Sequence, residues 1–358
     1  MVKQKKNVKK TEADSLWNQS STPIKLKDYS KNTVDTEKLL IFSETGAGKT
    51  TFYLDIIKYL KKKGLKPEKF KMMICYPDRP SGISKLFPSI PEEFKDRLDI
   101  FPVSNYEETI RATATITQEL DKHFKETGVH GWAVFELMEN YWTFSQDYYC
   151  RKAYGETMAD YFTEMQSLIG KGKAEKKTAY EAFAGPFGGP WPAIKFHHNF
   201  NWIDKLKRMP FNIVFTSEIK QEDNKDSVFS TLGYRPAGEK HNQHKMDTIL
   251  YLGHKKVGSN YRFTMKPFKL TGYRAFYSKV DITDKIGYEE HKKACKKLEE
   301  KGYKVTKMKD LEEQAEINPP KRKEEKKEKK EEKPKEKKEE KPEPKKEEKK
   351  ENDDMWSI

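Results

Sequence analysis

The sequence predicts an α/β fold with a mainly parallel central sheet, an antiparallel extension of that sheet and disordered chain termini. Between residues 37 and 302, short apolar runs alternate with segments of helical period, which is typical of a parallel sheet covered on both faces. After Asp247 the apolar runs follow one another without an intervening helix, which predicts antiparallel strands. Outside this region apolar residues almost disappear, so the termini cannot bury enough surface to offset chain entropy.

Composition divides the chain into three parts. Residues 1–36 are predicted to be a flexible basic arm, 37–302 the folded domain with an aromatic insertion at 139–208, and 303–358 a disordered tail rich in Lys and Glu. The net charge is +14, of which the first ten residues contribute +5 and residues 321–354 only +2. The remaining excess lies mostly on the folded domain, where it suits a polyanionic partner or serves solubility alone.

The predicted elements follow the apolar pattern along the chain. Five apolar runs predict parallel strands: Lys38–Phe42, Phe70–Tyr76, Asp99–Val103, Trp132–Leu137 and Phe211–Thr216. Apolar residues at helical spacing predict helices at Thr50–Lys63, Asn105–Lys125 and about Gly287–Lys301. The antiparallel strands are expected at 248–254, 261–268 and 273–277.

No apolar run approaches 18 residues and none follows the basic N-terminus, so neither a transmembrane helix nor a signal peptide is expected. The three cysteines, Cys75, Cys150 and Cys295, lie far apart and form no CxxC pair. A reduced chain in the cytoplasm, without a membrane partner, is therefore expected.

The segment SETGAGKTT connects the first predicted strand to the first predicted helix. It consists of Ser43, Glu44, Thr45, Gly46, Ala47, Gly48, Lys49, Thr50 and Thr51. Strand, Gly-rich loop and helix in this order are the setting of the phosphate-binding pattern GxxxxGK[ST], although Ser43 replaces the first glycine. The glycines let backbone N–H groups surround phosphate oxygens, and the helix N-terminus adds partial positive charge. We expect the loop to bind ATP, with Lys49 at the β- and γ-phosphates and the Thr50 hydroxyl on Mg²⁺.

Polar residues at the ends of three other strands are candidates for the same site. Asp78 follows the second strand, where an acid that activates water would lie, and Glu136 ends the strand WAVFEL as a second Mg²⁺ ligand. Glu139 is the alternative to Glu136. Thr216 and Ser217 end a further strand and are suited to sensing the γ-phosphate. Each of these residues can also be an ordinary strand-end residue.

These motifs together resemble the RecA-like P-loop ATPases of phages and archaeal viruses, which include recombination ATPases associated with single-strand annealing. The resemblance is carried by SETGAGKTT, CYPD, WAVFELMENYW, PFNIVFTSEIK, HKMDTILYL and KPFKLTGYR, over about Glu37–Tyr277. It implies a RecA-like P-loop NTPase that hydrolyses ATP and acts on single-stranded DNA or another nucleic acid in viral replication or recombination. It also implies a homo-oligomer, a ring or filament, in the host cytoplasm.

The same resemblance implies that a neighbouring subunit supplies a cation to the nucleotide. The candidates are Lys269 and Arg274, with Arg274 as partner or substitute. Lys266 and Lys269 are three residues apart and would point to opposite faces of an unbroken strand. Pro267 between them predicts an edge or a bulge, so at most one of the two lysines should reach a neighbour.

Several features have competing interpretations. The aromatic residues of the insertion are interpreted as the core of a helical subdomain rather than as a platform for bases: Trp132, Tyr141, Trp142, Phe144, Tyr148, Tyr149, Trp191, Phe196 and Trp202. His241 and His244 form an HxxH pair without a nearby third ligand, which favours a polar loop over a zinc site. The terminal DDMWSI, with Met355, Trp356 and Ile358, is interpreted either as a segment that docks on a protein partner or as an incidental terminus.

Two other functions are compatible with the loop. One is a P-loop kinase for a small molecule or nucleotide, and the other is a nucleotide-binding assembly or packaging factor. The rate of ATP hydrolysis with and without single-stranded DNA separates the kinase from the DNA-dependent ATPase.

Overall fold

The structure is a computed structural model that describes residues 36–77, 81–170, 189–225, 227–257, 260–271, 282–283 and 286–303. The predicted arm and tail, Asp78, Arg274 and the predicted strand at 273–277 lie outside these residues. Within them, no helix is both long enough and apolar enough to cross a bilayer.

The described strands form one large sheet and one small hairpin. Their bounds are β1 Lys38–Ser43, β2 Met72–Tyr76, β3 Leu98–Pro102, β4 Trp132–Phe135, β5 Asn212–Ser217, β6 Ile219–Gln221, β7 Tyr234–Pro236, β8 Thr248–Val257, β9 Asn260–Leu270 and β10 Ile282–Thr283. The described part of the large sheet has eight strands in the order β10-β9-β8-β1-β5-β4-β2-β3. From β8 to β3 all neighbours are parallel, whereas β9 and β10 are antiparallel additions. The predicted mainly parallel sheet with an antiparallel extension is confirmed, but the strand expected at 248–254 is wrong in direction, because β8 runs parallel to β1 and only its pairing with β9 is antiparallel.

Helices fill most connections between the parallel strands. Their bounds are α1 Lys49–Lys62, α2 Ser81–Leu86, α3 Glu92–Lys95, α4 Tyr106–Thr127, α5 Met138–Ala153, α6 Met158–Gly170, α7 Trp191–Lys195, a π-helix Phe196–Ile203, α8 Asp204–Lys207, α9 Asn242–Lys245 and α10 Tyr288–Glu300. The predicted long helix is confirmed as α4, which begins where the Asn105 side chain accepts a hydrogen bond from the Glu108 N–H at 2.9 Å.

Side chains alternate between the two faces of the sheet, and each face has its own core. In β1, Leu39 and Ile41 belong to the core under α1 and α10, while Leu40 and Phe42 belong to the core under α4, α5 and the π-helix. All six β1 residues are buried. A strand covered on both faces requires a continuous apolar run, which explains why β1 is apolar throughout its centre.

The aromatic insertion packs mainly as a helical subdomain. Trp202 and Tyr141 are fully buried and their rings lie 4.9 Å apart. His198 is also fully buried, with its two ring nitrogens 3.1 Å from the Ser145 hydroxyl and from the Asn242 side chain. The core interpretation is confirmed for Trp202 and Tyr141, which join the core on one face of the sheet, but Phe196 is 52% exposed.

Strand β9 contains the irregularity that Pro267 predicts. Lys266 is opposite Tyr251 and Pro267 is opposite Leu250, but Lys269 is opposite Ile249, so Phe268 is the extra residue of a bulge. Because Tyr251 and Ile249 are two residues apart, the bulge brings Lys266 and Lys269 to the same face. The predicted bulge is confirmed, and the opposite-face arrangement, which was expected only of an unbroken strand, does not apply.

The C-terminal helix α10 depends on an acid from α1 at its first turn. The Glu289 N–H donates a hydrogen bond to Asp55 Oδ2 at 3.1 Å. Gly287 precedes the helix with φ 154°, and a Cβ there would lie 2.7 Å from the same oxygen. Asp55 therefore caps a helix that is not its own and ties α10 to α1.

We expect Asp55→Ala to lower the free energy of unfolding by about 0.5–2 kcal/mol, because the first turn of α10 loses its acceptor. Chemical denaturation measures the change, with Asp223→Ala, an exposed acid, as the control. An Asp55→Ala midpoint equal to those of wild type and control would contradict the capping role.

Candidate functional site

The loop between β1 and α1 adopts the backbone that its glycines predict. Gly46 and Gly48 have φ values of 81° and 95°, in the left-handed region. Gly48 is the residue immediately before α1, and a Cβ at this position would lie 2.2 Å from Ile286 Cδ1. The backbone therefore favours glycine at 48, and a larger residue would also have to displace the flexible end of the Ile286 side chain. The first N–H groups of α1 have no intrahelical acceptor, so this helix end can bind an anion.

Lys49 folds back over the loop. Its Nζ donates hydrogen bonds to the Ser43 carbonyl at 3.1 Å, the Ser43 hydroxyl at 3.2 Å and the Glu44 carbonyl at 3.2 Å. Ser43 does not have a positive φ, so a glycine is not required where the pattern expects one. Burial lowers the pKa of Lys49, while the charges of Glu218, Glu139 and Glu136 act in the opposite direction.

The structure brings Thr50 and Glu136 together, as the sequence predicts. The Thr50 hydroxyl donates to Glu136 Oε1 at 3.1 Å, and Glu136 is only 4% exposed at the end of β4. Burial raises the pKa of Glu136, although hydrogen bonding and the charge of Lys49 partly oppose this. The Tyr53 hydroxyl is buried nearby without a hydrogen bond of ordinary geometry, and burial followed by the charge of Glu136 raises the pKa of Tyr53.

The oxygen atoms of Thr50 and Glu136 fit a magnesium ion that bound phosphate would help to hold. A carboxylate and a hydroxyl are hard oxygen ligands, and Mg²⁺ commonly takes only one or two protein ligands together with phosphates and water. No group of three or more His, Cys, Asp or Glu side chains suited to a metal occurs in the described residues. Thr50 and Glu136 would hold the ion only in company with phosphate oxygens.

A strained turn follows Glu136 directly. Leu137 has φ 60° and ψ 68° and is the one non-glycine residue with positive φ in the described chain. Its N–H donates to Thr216 Oγ1 at the end of β5, at 3.0 Å. The turn ends β4 and begins α5 at Met138, which places Glu139 in the first turn of α5. Glu139 therefore faces the end of β5 rather than Thr50.

A third acid, Glu218, joins the loop to this arrangement. The Glu218 N–H lies 3.3 Å and 3.4 Å from the two carboxylate oxygens of Glu139. Glu218 Oε1 accepts a hydrogen bond from the Thr45 hydroxyl at 3.0 Å. Burial, with a contribution from the charge of Glu218, raises the pKa of Glu139. Glu218 is not among the residues that the sequence predicts for the site, although it follows β5 as directly as Glu136 follows β4.

Ser217 and Thr216 use their hydroxyl groups within the protein. Ser217 Oγ donates to the carbonyls of Glu218 and Ala237 at 2.9 Å and 3.2 Å, and Thr216 Oγ1 accepts from Leu137. In this arrangement both residues hold the strand end in place. A direct contact between Ser217 and a phosphate stays a prediction.

Lys269 lies away from the phosphate loop of its own chain. Lys269 is opposite Ile249 of β8, and Ile249 is opposite Leu40 of β1, three residues before the loop begins at Ser43. The Lys269 Nζ donates hydrogen bonds to the carbonyls of His244, at 3.2 Å, and Met246. Burial is the main cause of the lowered pKa of Lys269. Its predicted action on a neighbouring subunit stays a prediction, as do the roles of Asp78 and Arg274, which lie outside the described residues.

The HxxH pair lies at the short helix α9, with His241 directly before the helix and His244 within it. His241 Nδ1 lies 2.8 Å from Glu239 Oε1, and the rings of His241 and His244 are 6.3 Å apart. Neither histidine belongs to a metal-binding group among the residues described. The polar-loop interpretation is wrong for His244, which is part of a helix.

No family model matches the chain, and no curated protein matches it significantly. The functional argument therefore depends on the geometry of the site.

We expect Glu136→Gln to raise the Mg²⁺ concentration needed for tight ATP binding by about 10–100-fold, as for other groups that support a metal. Because burial raises the pKa of Glu136, Mg²⁺-dependent binding should weaken as the pH falls through that raised value. Titration of a fluorescent ATP analogue at several Mg²⁺ concentrations and pH values measures both effects. Glu222→Gln, which removes an acid beyond β6, is the control. Equal Mg²⁺ requirements in the wild type and Glu136→Gln would contradict the metal-side role.

Proposed function

We propose that this protein binds ATP with Mg²⁺ at the loop Ser43–Thr51, hydrolyses it, and acts on DNA as a RecA-like ATPase in phage or viral replication or recombination. The observation that carries the proposal is the juxtaposition of the loop lysine Lys49 with the Thr50–Glu136 hydrogen bond of 3.1 Å.

The loop offers each group that a bound triphosphate requires. Backbone N–H groups of Gly46–Thr51 would surround the phosphates, and Lys49 would leave its carbonyl acceptors to reach the terminal phosphate. Thr50 and Glu136 would hold Mg²⁺, which neutralises charge that develops on the phosphate oxygens. The acids whose charges act on Lys49 are Glu218, Glu139 and Glu136. Carboxylates in these positions could orient a water molecule or hold the metal, which favours hydrolysis over phosphoryl transfer to another acceptor.

The sheet supports the RecA-like part of the proposal at the level of fold class. A mainly parallel sheet with an antiparallel extension is what the resemblance implies. The loop lies at the carboxyl end of a central strand, where ligands bind in open α/β sheets.

An exposed phenyl pair supports the nucleic-acid partner. Phe196 and Phe200 of the π-helix are 52% and 51% exposed, and their rings stack 4.9 Å apart with an angle of 18°. Lys207 and Arg208 are exposed at the far end of the same helical run. Proteins that bind single-stranded nucleic acid combine aromatic rings that stack with bases and cations that contact phosphates.

We expect single-stranded DNA to increase the ATP hydrolysis rate of the wild type, and Lys49→Ala to reduce turnover by about 10²–10³-fold through loss of a phosphate contact. A coupled assay of ADP release, with and without a mixed-sequence oligonucleotide, measures both. Circular dichroism controls for folding of the variant. Unchanged ATP binding in Lys49→Ala would contradict the loop assignment. ATP turnover that is indifferent to DNA would favour the kinase alternative.

We expect the double variant Phe196→Ala and Phe200→Ala to bind single-stranded DNA more weakly by about 1–3 kcal/mol for each base that loses a stacking partner. Fluorescence anisotropy of a labelled oligonucleotide measures the loss. Phe87→Ala, which removes an exposed phenyl group from another part of the surface, is the control. If the double variant changes only the oligomeric state, the phenyl pair is a contact between copies of this chain and not a DNA contact.

A further inference from the structure

Glu218 lies at the boundary between the phosphate loop and the metal-side acid. Strand β5 pairs with β1 on one side, with Ser217 opposite Phe42, and with β4 on the other side, with Phe215 opposite Phe135. The residue after β5 therefore emerges between the loop that follows β1 and the acid that ends β4. A terminal phosphate held by Lys49 and Thr50 would lie in this region.

We propose that Glu218 is the carboxylate that orients the attacking water and accepts its proton, an assignment that rests on the proposed hydrolysis of ATP. The contact that motivates it is the hydrogen bond from the Thr45 hydroxyl to Glu218 Oε1, 3.0 Å long. It holds the carboxylate over the phosphate loop. Glu218 Oε2 has no hydrogen-bond partner within the described part of the chain and is available to water.

The other two acids have different tasks. Glu136 is buried and accepts a hydrogen bond from the Thr50 hydroxyl, which places it beside the proposed magnesium ligand. Glu139 faces the Glu218 N–H with both carboxylate oxygens and so fixes the end of β5. Glu139 and Glu218 are both half-buried, but Glu139 directs both carboxylate oxygens at a backbone N–H, whereas Glu218 Oε2 has no hydrogen bond within the described residues. A base that acts on water requires this combination of fixed position and access to solvent.

The electrostatics of the loop agree with this position. Burial is the main influence on Lys49 and lowers its pKa, but Glu218 has the largest opposing influence, ahead of Glu139 and Glu136. The carboxylate of Glu218 is therefore close to the cation that would hold the terminal phosphate. Glu139 is a positioning residue for Glu218 through the backbone N–H.

The reaction step is a balanced hydrolysis. The water oxygen forms a bond with the γ-phosphorus as the bond from that phosphorus to the bridging oxygen breaks, and ADP leaves. One proton of the water moves to the Glu218 carboxylate and then to phosphate or solvent. ATP and water are the reactants, and ADP and inorganic phosphate are the products.

The test uses Glu218→Gln in the full chain with MgATP and single-stranded DNA. We expect turnover to fall by about 10²–10⁴-fold, the usual contribution of a general base. The Kd for ATP should stay within about threefold of the wild type, because the lost interaction is made mainly in the transition state. Single-turnover assays give the rate of the chemical step, and a fluorescent ATP analogue gives the Kd. Glu222→Gln is the matched control and should hydrolyse ATP normally.

The comparison of the chemical rate with the ATP affinity separates a base from a structural residue. A structural defect in Glu218→Gln would weaken ATP binding as well, whereas loss of a base lowers the rate alone. Turnover in Glu218→Gln near the wild-type rate, or a loss of ATP affinity that accounts for its whole defect, would overturn the assignment. A wild type that binds ATP but never hydrolyses it would instead contradict the proposed function itself.

Discussion

Because parallel strands end at one edge of a sheet, the pairing of β5 with both β1 and β4 decides where each polar residue of the site can lie. β1 delivers the phosphate loop, β4 delivers Glu136, and β5 delivers Thr216 to Glu218 between them. If β5 lay at another position in the sheet, Thr45 and Leu137 would lose their partners on that strand. The apolar cores on the two faces keep this order, since a shift of one residue would move buried side chains to the wrong face.

The charge balance of the site explains why a metal ion belongs in the proposed mechanism. The charges of three carboxylates act on one loop lysine, and burial favours the neutral forms of Lys49, Glu136 and Glu139. A bound triphosphate would add further negative charge to the same volume. A divalent cation beside Glu136 would offset part of the repulsion, and the first turn of α1 would contribute N–H groups to the phosphates.

The features that could be predicted are those written in short stretches of sequence. The strand, glycine loop and helix around Lys49 depend on neighbouring residues, and so do the apolar runs of the parallel strands. Glu218 was missed because its importance follows from β5 lying beside β1, a pairing between residues about 175 positions apart. The sequence predicts a bulge at Pro267 but not its consequence. The extra residue Phe268 reverses the alternation of side chains in β9, so Lys269 lies on the same face as Lys266. Sequence period alone also did not distinguish the buried aromatic residues of the insertion from Phe196.

The left-handed turn at Leu137 lowers the stability of the folded chain but fixes the relative orientation of Glu136 and Glu139. A leucine in this conformation costs about 1–2 kcal/mol relative to a relaxed backbone, and a glycine would remove that strain. The turn also sets the angle between Glu136, which precedes it, and Glu139, which follows it. A glycine at this position would remove the backbone strain, but it would fix the relative orientation of the two acids less firmly. Selection for thermal stability alone would therefore favour a residue that loosens the site, whereas selection for activity would keep the strained leucine.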